Sequence, residues 1–282
     1  NLSQNIKFEI DSKNIKNIKD YSLKKYPISF DEYKKKFDLI QDEIKKGNSY
    51  LLNLTTKTKI DTNLSLDEIY EASSSLLNLR VKIDNLDFVC FSPEKFIDIK
   101  DNKIYTYPMK GTIDTNLDDA KNILLNSKKE LAEHTMVVDL LRNDLGKVAK
   151  NIKVEEFRKF SKIVTKDREL FQTSSIISAD LQNNWQEKIG DILSNILPAG
   201  SITGTPKKST IEILKNIENY DRGFYSGIFG IFDGINLQSF VLIRFIENIN
   251  NELFYKSGGG ITSDSIAKEE YEELLNKVYL PF

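Results

Sequence analysis

One cysteine, one histidine and one tryptophan occur in 282 residues, and each scarcity narrows the possible chemistry. Cys90 has no second cysteine to pair with, so no internal disulfide holds the fold. It stands in the apolar run Phe88-Val89-Cys90-Phe91, which reads as a packing position, and a reducing cytoplasm is the expected compartment. A single histidine, His134, rules out a histidine-rich metal site. No apolar run approaches the ~20 residues that a helix needs to cross a bilayer, so no membrane is expected as a partner. Net charge is −2 with basic residues spread along the whole chain, and no nucleic acid is expected either. The glycine-containing loop at residues 198–207 lacks the G-x-x-x-x-G-K-[ST] spacing of a nucleotide-binding loop. Internal repeats and low-complexity linkers are absent. With 40% hydrophobic and 29% charged residues the chain has ample material for a core. A single α+β domain over residues 1–282 is expected, with mostly antiparallel sheets and helices packed outside.

The richest stretch is Ser257-Gly258-Gly259-Gly260-Ile261-Thr262-Ser263-Asp264-Ser265, with an acidic run behind it. Three successive glycines carry no β-carbon, so their backbone approaches a ligand closely and turns N–H groups toward an anion. A helix is expected directly after Asp264 and Ser265, with either as its N-cap. Along it Glu270, Glu273 and Lys277 fall at i, i+3 and i+7 on one face, while Leu274, Leu275 and Val278 form a core stripe. Two carboxylates and an ammonium beside an anion-binding backbone fit a metal and a carboxylated substrate. A solvated acidic helix after a turn has the same pattern.

From the start of the chain, residues 6–10 read as a weak strand. The spacing S-x-x-E occurs at Ser29, Ser65 and Ser127, and each is a capping box that opens a helix. The first helix carries Tyr33, Phe37, Ile40 and Ile44 at helical spacing and stops at Gly47. The third runs to about Leu145. On it Glu130, Glu133, Val137 and Leu141 share a face, which sets the two glutamates at an interior edge, and Arg142-Asn143-Asp144 offers groups suited to pairing with a following loop. Residues 50–56 and 172–181 read as strands, and residues 87–100 and 103–107 as an antiparallel pair. In Tyr107-Pro108-Met109-Lys110-Gly111-Thr112, proline and glycine hold Lys110 on a bend. Partly buried, such a lysine loses its proton and serves as nucleophile or base; solvated, it is an ordinary loop residue. A helix follows at residues 185–197. Thr205 is then expected to cap another helix with Pro206 at its first position, and the hydroxyl-bearing loop before it to offer an anion site. Strands at residues 225–232, 237–247 and 253–255 close the chain as a meander, with turns at Asp233-Gly234 and Asn250-Asn251.

Eight segments in order, from about residue 30 to residue 278, carry a family likeness: GNSYLLNLT, SPEKFI, YPMKGT, KELAEHTMVVDLLRNDLGKVA, PAGSITGTPK, RGFYSGIFG, IRF and SGGGITSDS with EEYEELLNK. Together they resemble the chorismate-utilising enzymes, the family of anthranilate, aminodeoxychorismate, isochorismate and salicylate synthases. The resemblance implies two antiparallel β-sheets packed as a sandwich surrounded by helices, and a magnesium-dependent reaction on chorismate. Carried onto this chain, Glu130 and Glu133 on one helix and Glu270 and Glu273 on another would hold Mg2+, a hard cation that takes oxygen ligands. The metal would face the ring carboxylate. Tyr225, Arg244, Lys277 and the backbone N–H groups of Gly258, Gly259 and Gly260 would take the enolpyruvyl carboxylate, with Thr112 lining the ring. Arginine suits that task because its planar fork binds a carboxylate through two parallel bonds.

Within that resemblance Lys110 sets the branch. It occupies the position of a nucleophilic lysine in aminodeoxychorismate synthases, where anthranilate synthases usually have alanine. The implied reaction joins ammonia to chorismate through a covalent lysine adduct and gives 4-amino-4-deoxychorismate for p-aminobenzoate and folate. The chain carries no glutaminase-like nucleophile motif, so a glutamine amidotransferase subunit is the expected source of ammonia. Two positions depart from the family. Leu51 stands where water-using members have a lysine and amide-forming members usually have glutamine; leucine cannot activate water. Gln172 stands in place of a histidine near the departing hydroxyl, and an amide hydrogen-bonds a hydroxyl without protonating it. The readings weighed against this one are an anthranilate synthase and a non-catalytic subunit that retained the carboxylate pocket.

Overall fold

The computed structural model describes residues 9–10, 15–18, 20–75, 77–164 and 169–282. Of the strand expected at residues 6–10, residues 6–8 lie outside the described residues, and Glu9 and Ile10 are in no strand. Strand β1 (Leu23–Tyr26) is followed by helix α1 (Phe30–Lys45), the long β2 (Leu51–Thr62) and α2 (Leu66–Ala72). Short strands come next: β3 (Leu77–Ile83), β4 (Leu86–Ser92), β5 (Lys95–Lys100), β6 (Lys103–Thr106) and β7 (Met109–Asp114). Helices α3 (Ala120–Asn126) and α4 (Lys128–Gly146) lead to β8 (Lys150–Val164) and β9 (Glu169–Asp180). A 3-10 turn at Trp185–Lys188 precedes α5 (Ile189–Ile196), the single turn α6 (Gly200–Thr203), β10 (Gly204–Thr205) and α7 (Lys207–Glu218). The chain closes with β11 (Ile228–Phe232), β12 (Leu237–Val241), β13 (Phe245–Ile249), β14 (Glu252–Ile261) and α8 (Ala267–Asn276).

The strands form two antiparallel sheets among the described residues. One has the order β1-β2-β14-β13-β4-β3 with β10 against β2; the other has β11-β12-β5-β6-β9-β7 with β8 against β9. Helix starts follow the local chemistry of the sequence. Ser29, Ser65 and Ser127 each accept a hydrogen bond from the N–H three residues on, and at Ser65 the reciprocal bond from the backbone to Glu68 completes the box. Helices α1, α7 and α8 cover β2 through Tyr33, Phe37, Ile40, Leu214, Ile217 and Leu274, which pack on Leu52 and Leu54. Helix α4 lays Val137, Val138 and Leu141 on Ile97, Ile99, Ile104 and Ile177 of the second sheet. Each such side chain contributes about 1.5–3 kcal/mol by leaving water. Phe88, Cys90 and Phe245 of the first sheet pack with Tyr225 and Leu242, which joins the two layers. Among the described residues no helix is long and apolar enough to cross a membrane.

Several boundaries differ from the sequence expectation, and the differences shape the site. Residues 87–100 are not one strand. They divide into β4 in the first sheet and β5 in the second, broken at Pro93, which has no N–H to give to a ladder. Residues 237–247 divide in the same way into β12 and β13, with Arg244 at a φ of 54° in the break. The two crossings are bonded to each other: the Phe91 N–H donates to the Arg244 carbonyl and the Val241 N–H to the Glu94 carbonyl, both at 3.1 Å. Strand β8 carries no expected counterpart. Among the described residues it pairs with β9 alone, its register shifts three times, and its exposed edge is rich in lysine and glutamate, so no clean apolar alternation marks it. Thr205 does not cap a helix; it pairs with Leu51 as part of β10, and Pro206 takes the N-cap of α7.

Candidate active site

A cavity of about 300 Å³ opens where the sheets exchange strands, within the size range of small-molecule sites. Its wall contains Lys110 and Thr112 of β7, Glu130 and Glu133 of α4, Gln172 of β9, Tyr225, Arg244, Gly258, Gly259 and Gly260 of β14, Glu270 and Glu273 of α8, and Lys277. Every site residue expected from the sequence therefore reaches this one space. A larger cleft of about 670 Å³, on the outer side of β5, β6 and β12, holds none of them.

Lys110 is placed by a bulge in β7. The register against β9 shifts between Lys110 and Thr112, and Gly111 sits at a φ of 80°, a conformation that costs glycine little. A strand with a bulge takes the place of the expected bend and fixes the direction of the side chain. Its Nζ lies 3.7 Å from Glu133 Oε2. Thr112 is directly opposite Gln172 in the same ladder, so the two face the cavity as neighbours.

The triple glycine is strand, not a turn. Gly258, Gly259 and Gly260 pair with Thr55, Leu54 and Asn53 of β2. Strand β13 pairs with Glu252 to Lys256 of β14, so beyond Lys256 that edge of β14 is not taken by β13. The glycines serve close approach: a β-carbon on Gly258 would lie 2.6 Å from the Leu54 carbonyl oxygen. The helix behind them begins at Ala267 with Ile266 as N-cap, because Ser265 gives its hydroxyl to Glu270 Oε1 at 2.8 Å instead of capping. Lys277 donates to the Gly258 carbonyl at 2.8 Å and pairs with Glu273 at 2.5 Å; burial lowers its pKa, and Glu273 opposes that shift. Tyr225 is buried, which pushes its hydroxyl up to about 12, and Arg244 donates from Nε to Tyr279 at 3.2 Å.

Glu94 is the residue that the sequence reading passed over. The break after β4 carries it into the cavity, where it accepts from Ser201 Oγ at 2.8 Å. Desolvation raises its pKa, opposed first by the Ser201 bond and then by the charges of Lys110, Arg244 and Lys277. The missed signal was Ser92-Pro93, since a proline inside an apparent strand marks an edge or a break. Asn53 and Ser201 also line the space. Two hydroxyls of the loop before α7 are engaged within the protein: Thr203 bonds the Ala199 carbonyl at 2.9 Å and Ser201 bonds Glu94. His134 lies outside the cavity, buried, with Nε2 2.6 Å from Ser175 Oγ.

The four glutamates suit magnesium by chemistry and by the room in front of them. Carboxylate oxygens are the donors a hard divalent cation takes. Glycines keep that room open: a β-carbon would stand 2.9 Å from Glu130 Oε2 at Gly111, and 3.4 Å from Glu270 Oε2 and 4.0 Å from Glu273 Oε1 at Gly259. Among the described residues no three acidic groups already converge as a metal cluster; Glu133 and Glu273 instead pair with Lys110 and Lys277.

A protein of Haemophilus influenzae, named "Uncharacterized PabA-like protein", is 52% identical over 91% of this chain and 77% of its own length. Aminodeoxychorismate synthase component 1 of Bacillus subtilis is 32% identical over 90% of this chain and 55% of its own, so the chain spans little more than half of that relative. Among solved structures, anthranilate synthase component I from Streptococcus pneumoniae superposes with a TM-score of 0.78 at 24% identity, over 91% of this chain and 58% of that one, a likeness of fold. A family model described as chorismate binding enzyme matches residues 8–281, and the chain belongs to that family.

Proposed function

We propose that this chain is the synthase component that converts chorismate and ammonia to 4-amino-4-deoxychorismate. The observation that carries the reading is Lys110, held by a β-bulge in a cavity that it shares with Glu94, Arg244 and Lys277. Arg244, Lys277 and Tyr225 would hold the enolpyruvyl carboxylate, the arginine through its planar fork. Glu130, Glu133, Glu270 and Glu273 would hold magnesium, which when bound supplies positive charge against the ring carboxylate.

Lys110, its ammonium proton first lost to solvent and regained at the end of the cycle, forms a C–N bond to the ring as the ring C–O bond breaks. The hydroxyl leaves as water with the proton of Glu94, which becomes a carboxylate. Ammonia then forms its own C–N bond and displaces the lysine amine, and the carboxylate of Glu94 takes one proton from the new ammonium. Chorismate and ammonia thus become aminodeoxychorismate and water, and both side chains return to their starting forms. This assigns to Glu94 the proton transfer that Gln172 cannot perform. Leu51, buried in the β2 wall, has no group to activate water, which favours amination over hydration. Ammonia would come from a glutamine amidotransferase partner. The test is incubation of the chain with chorismate, magnesium and ammonium at mildly basic pH, with products resolved by mass. Aminodeoxychorismate with its enolpyruvyl group intact is the expected product; anthranilate with pyruvate would overturn the assignment.

A further inference from the structure

The loop between α5 and α7 brings Ser201 to Glu94, and its anchorage lies away from the cavity. Lys207 opens α7 with its side chain only 13% exposed. Its ammonium donates to the Ile196 carbonyl at 2.6 Å, eleven positions back, and pairs with Asp144 Oδ2 at 2.6 Å. One side chain thereby ties both ends of the loop and fastens them to α4, the helix that carries Glu130 and Glu133. Lys147 takes the other oxygen of Asp144 at 2.8 Å. Gly200 lets the loop press on α4, since a β-carbon there would meet Leu140 Cδ2 at 2.8 Å and Asp144 Oδ2 at 3.3 Å. From this footing Ser201 Oγ reaches Glu94 Oε1, and Gly204 and Thr205 pair with Leu52 and Leu51 of β2.

A buried ion pair is a weak source of stability, because desolvation offsets the attraction; what it provides is one defined arrangement. Packing alone would hold this loop by area. An ammonium gripped by a carboxylate and a carbonyl also sets direction and distance. Asp144 stands ~20 Å along α4 from Glu130, too far to touch the substrate itself. We propose that Asp144 and Lys207 are positioning residues that set the Ser201–Glu94 contact and so the placement of the proton donor. The proposal rests on the aminodeoxychorismate synthase reading only for the reaction that the proton serves.

The groups that face Glu94 are Ser201 from this loop, Lys110 from β7, Arg244 from the β12–β13 crossing and Lys277 behind α8. Release of Ser201 removes a donor that favours the carboxylate, so Glu94 keeps its proton to higher pH. The experiment follows the carbon-13 resonance of the Glu94 carboxyl against pH, assigned by its loss in Glu94→Gln. Wild type, Ser201→Ala, Lys207→Met and the double variant are compared, with kcat and KM for chorismate measured alongside. Lys207→Met is expected to move the Glu94 midpoint upward as Ser201→Ala does, and the double variant to move it no further. The kcat falls by ~10- to 100-fold while KM stays within about threefold, the signature of a misplaced reacting group. An unmoved midpoint in Lys207→Met, or additive shifts in the double variant, overturns the proposal. Should Lys207→Met not fold, Asp144→Asn keeps the side-chain shape and carries the same test. A wild-type chain that fails to aminate chorismate sinks the functional reading alone, because the titration still decides whether the pair acts on Glu94.

Discussion

Gly259→Ala separates chemistry from packing within one strand. A β-carbon at Gly259 would lie 3.4 Å from Glu270 Oε2, 3.9 Å from Lys277 Nζ and 4.0 Å from Glu273 Oε1, with no backbone atom among these neighbours. Its φ is not in the left-handed region, so alanine fits without strain. Restricting the unfolded chain favours the variant by ~0.4–1 kcal/mol, and the Tm is expected to stay level or rise by about 1–4 °C. The methyl group nevertheless occupies the space between two carboxylates and an ammonium, where a ligand oxygen or water would sit. Loss of one preorganised polar contact at such a place costs ~100-fold or more in rate, equivalent to about 2.7 kcal/mol of transition-state stabilisation. Gly258→Ala gives the opposite pattern. Its β-carbon would meet the Leu54 carbonyl oxygen and Thr55 Cγ2, both at 2.6 Å, and the ladder to β2 must part to admit it. A stability loss of ~1–3 kcal/mol is expected there. Calorimetry on both variants, with steady-state amination of chorismate, reads the two effects separately. A Gly259→Ala protein with wild-type Tm and kcat/KM within about twofold would refute the placement of substrate and metal on this face of β14.

Lys110→Ala is expected to retain chorismate binding within a few-fold, measured by calorimetric titration, and to lose aminodeoxychorismate formation by at least ~100-fold, since a covalent route without its nucleophile has no substitute. Unchanged turnover would remove Lys110 from the reaction. Glu94→Gln preserves shape and the Ser201 contact but carries no acidic proton; kcat should fall by ~10²–10⁴-fold, as for other general acids, and a smaller loss than tenfold would point to another donor. His134 gives a pH prediction for stability. Burial, helped by the charges of Arg158 and Lys110, lowers its pKa from 6.5 to about 4. Between those values the unfolded chain takes up a proton that the folded chain refuses, so stability falls as pH drops from 6.5 toward 4, by up to ~3 kcal/mol. Urea midpoints measured from pH 7 to pH 4.5 should decline less steeply in His134→Gln; parallel profiles would contradict the cause.

Local spacing put Glu270, Glu273 and Lys277 on one helix face and Glu130 and Glu133 on another, whereas Thr112, Tyr225, Arg244 and the roles given to all of them came from the family resemblance. Capping serines announce their helices through a bond only three residues long, and i, i+3 glutamates fall on one helix face whatever the rest of the chain does. What escaped the sequence depends on distant partners. Glu94 lies in what scans as one continuous strand, and only the second sheet makes its position a crossing. Arg244 adopts a positive φ that no glycine or asparagine advertises. Three glycines in a row have no period, so strand and turn look alike until β2 supplies their register. The alternation of β8 is erased by bulges, each of which turns the next side chain to the other face.

The two bonded crossings make catalysis a gauge of how the sheets sit on one another. Glu94, the proposed proton donor, hangs from β4–β5 and Arg244, the proposed carboxylate clamp, from β12–β13, and the Phe91 and Val241 backbone bonds lock one to the other. Slippage of a single ångström between the layers would leave both sheets intact, with their circular dichroism unchanged, yet would separate proton donor from anchored substrate. Mild heat or low denaturant should therefore silence the enzyme before it melts, with activity lost along the seam where the chain changes sheets.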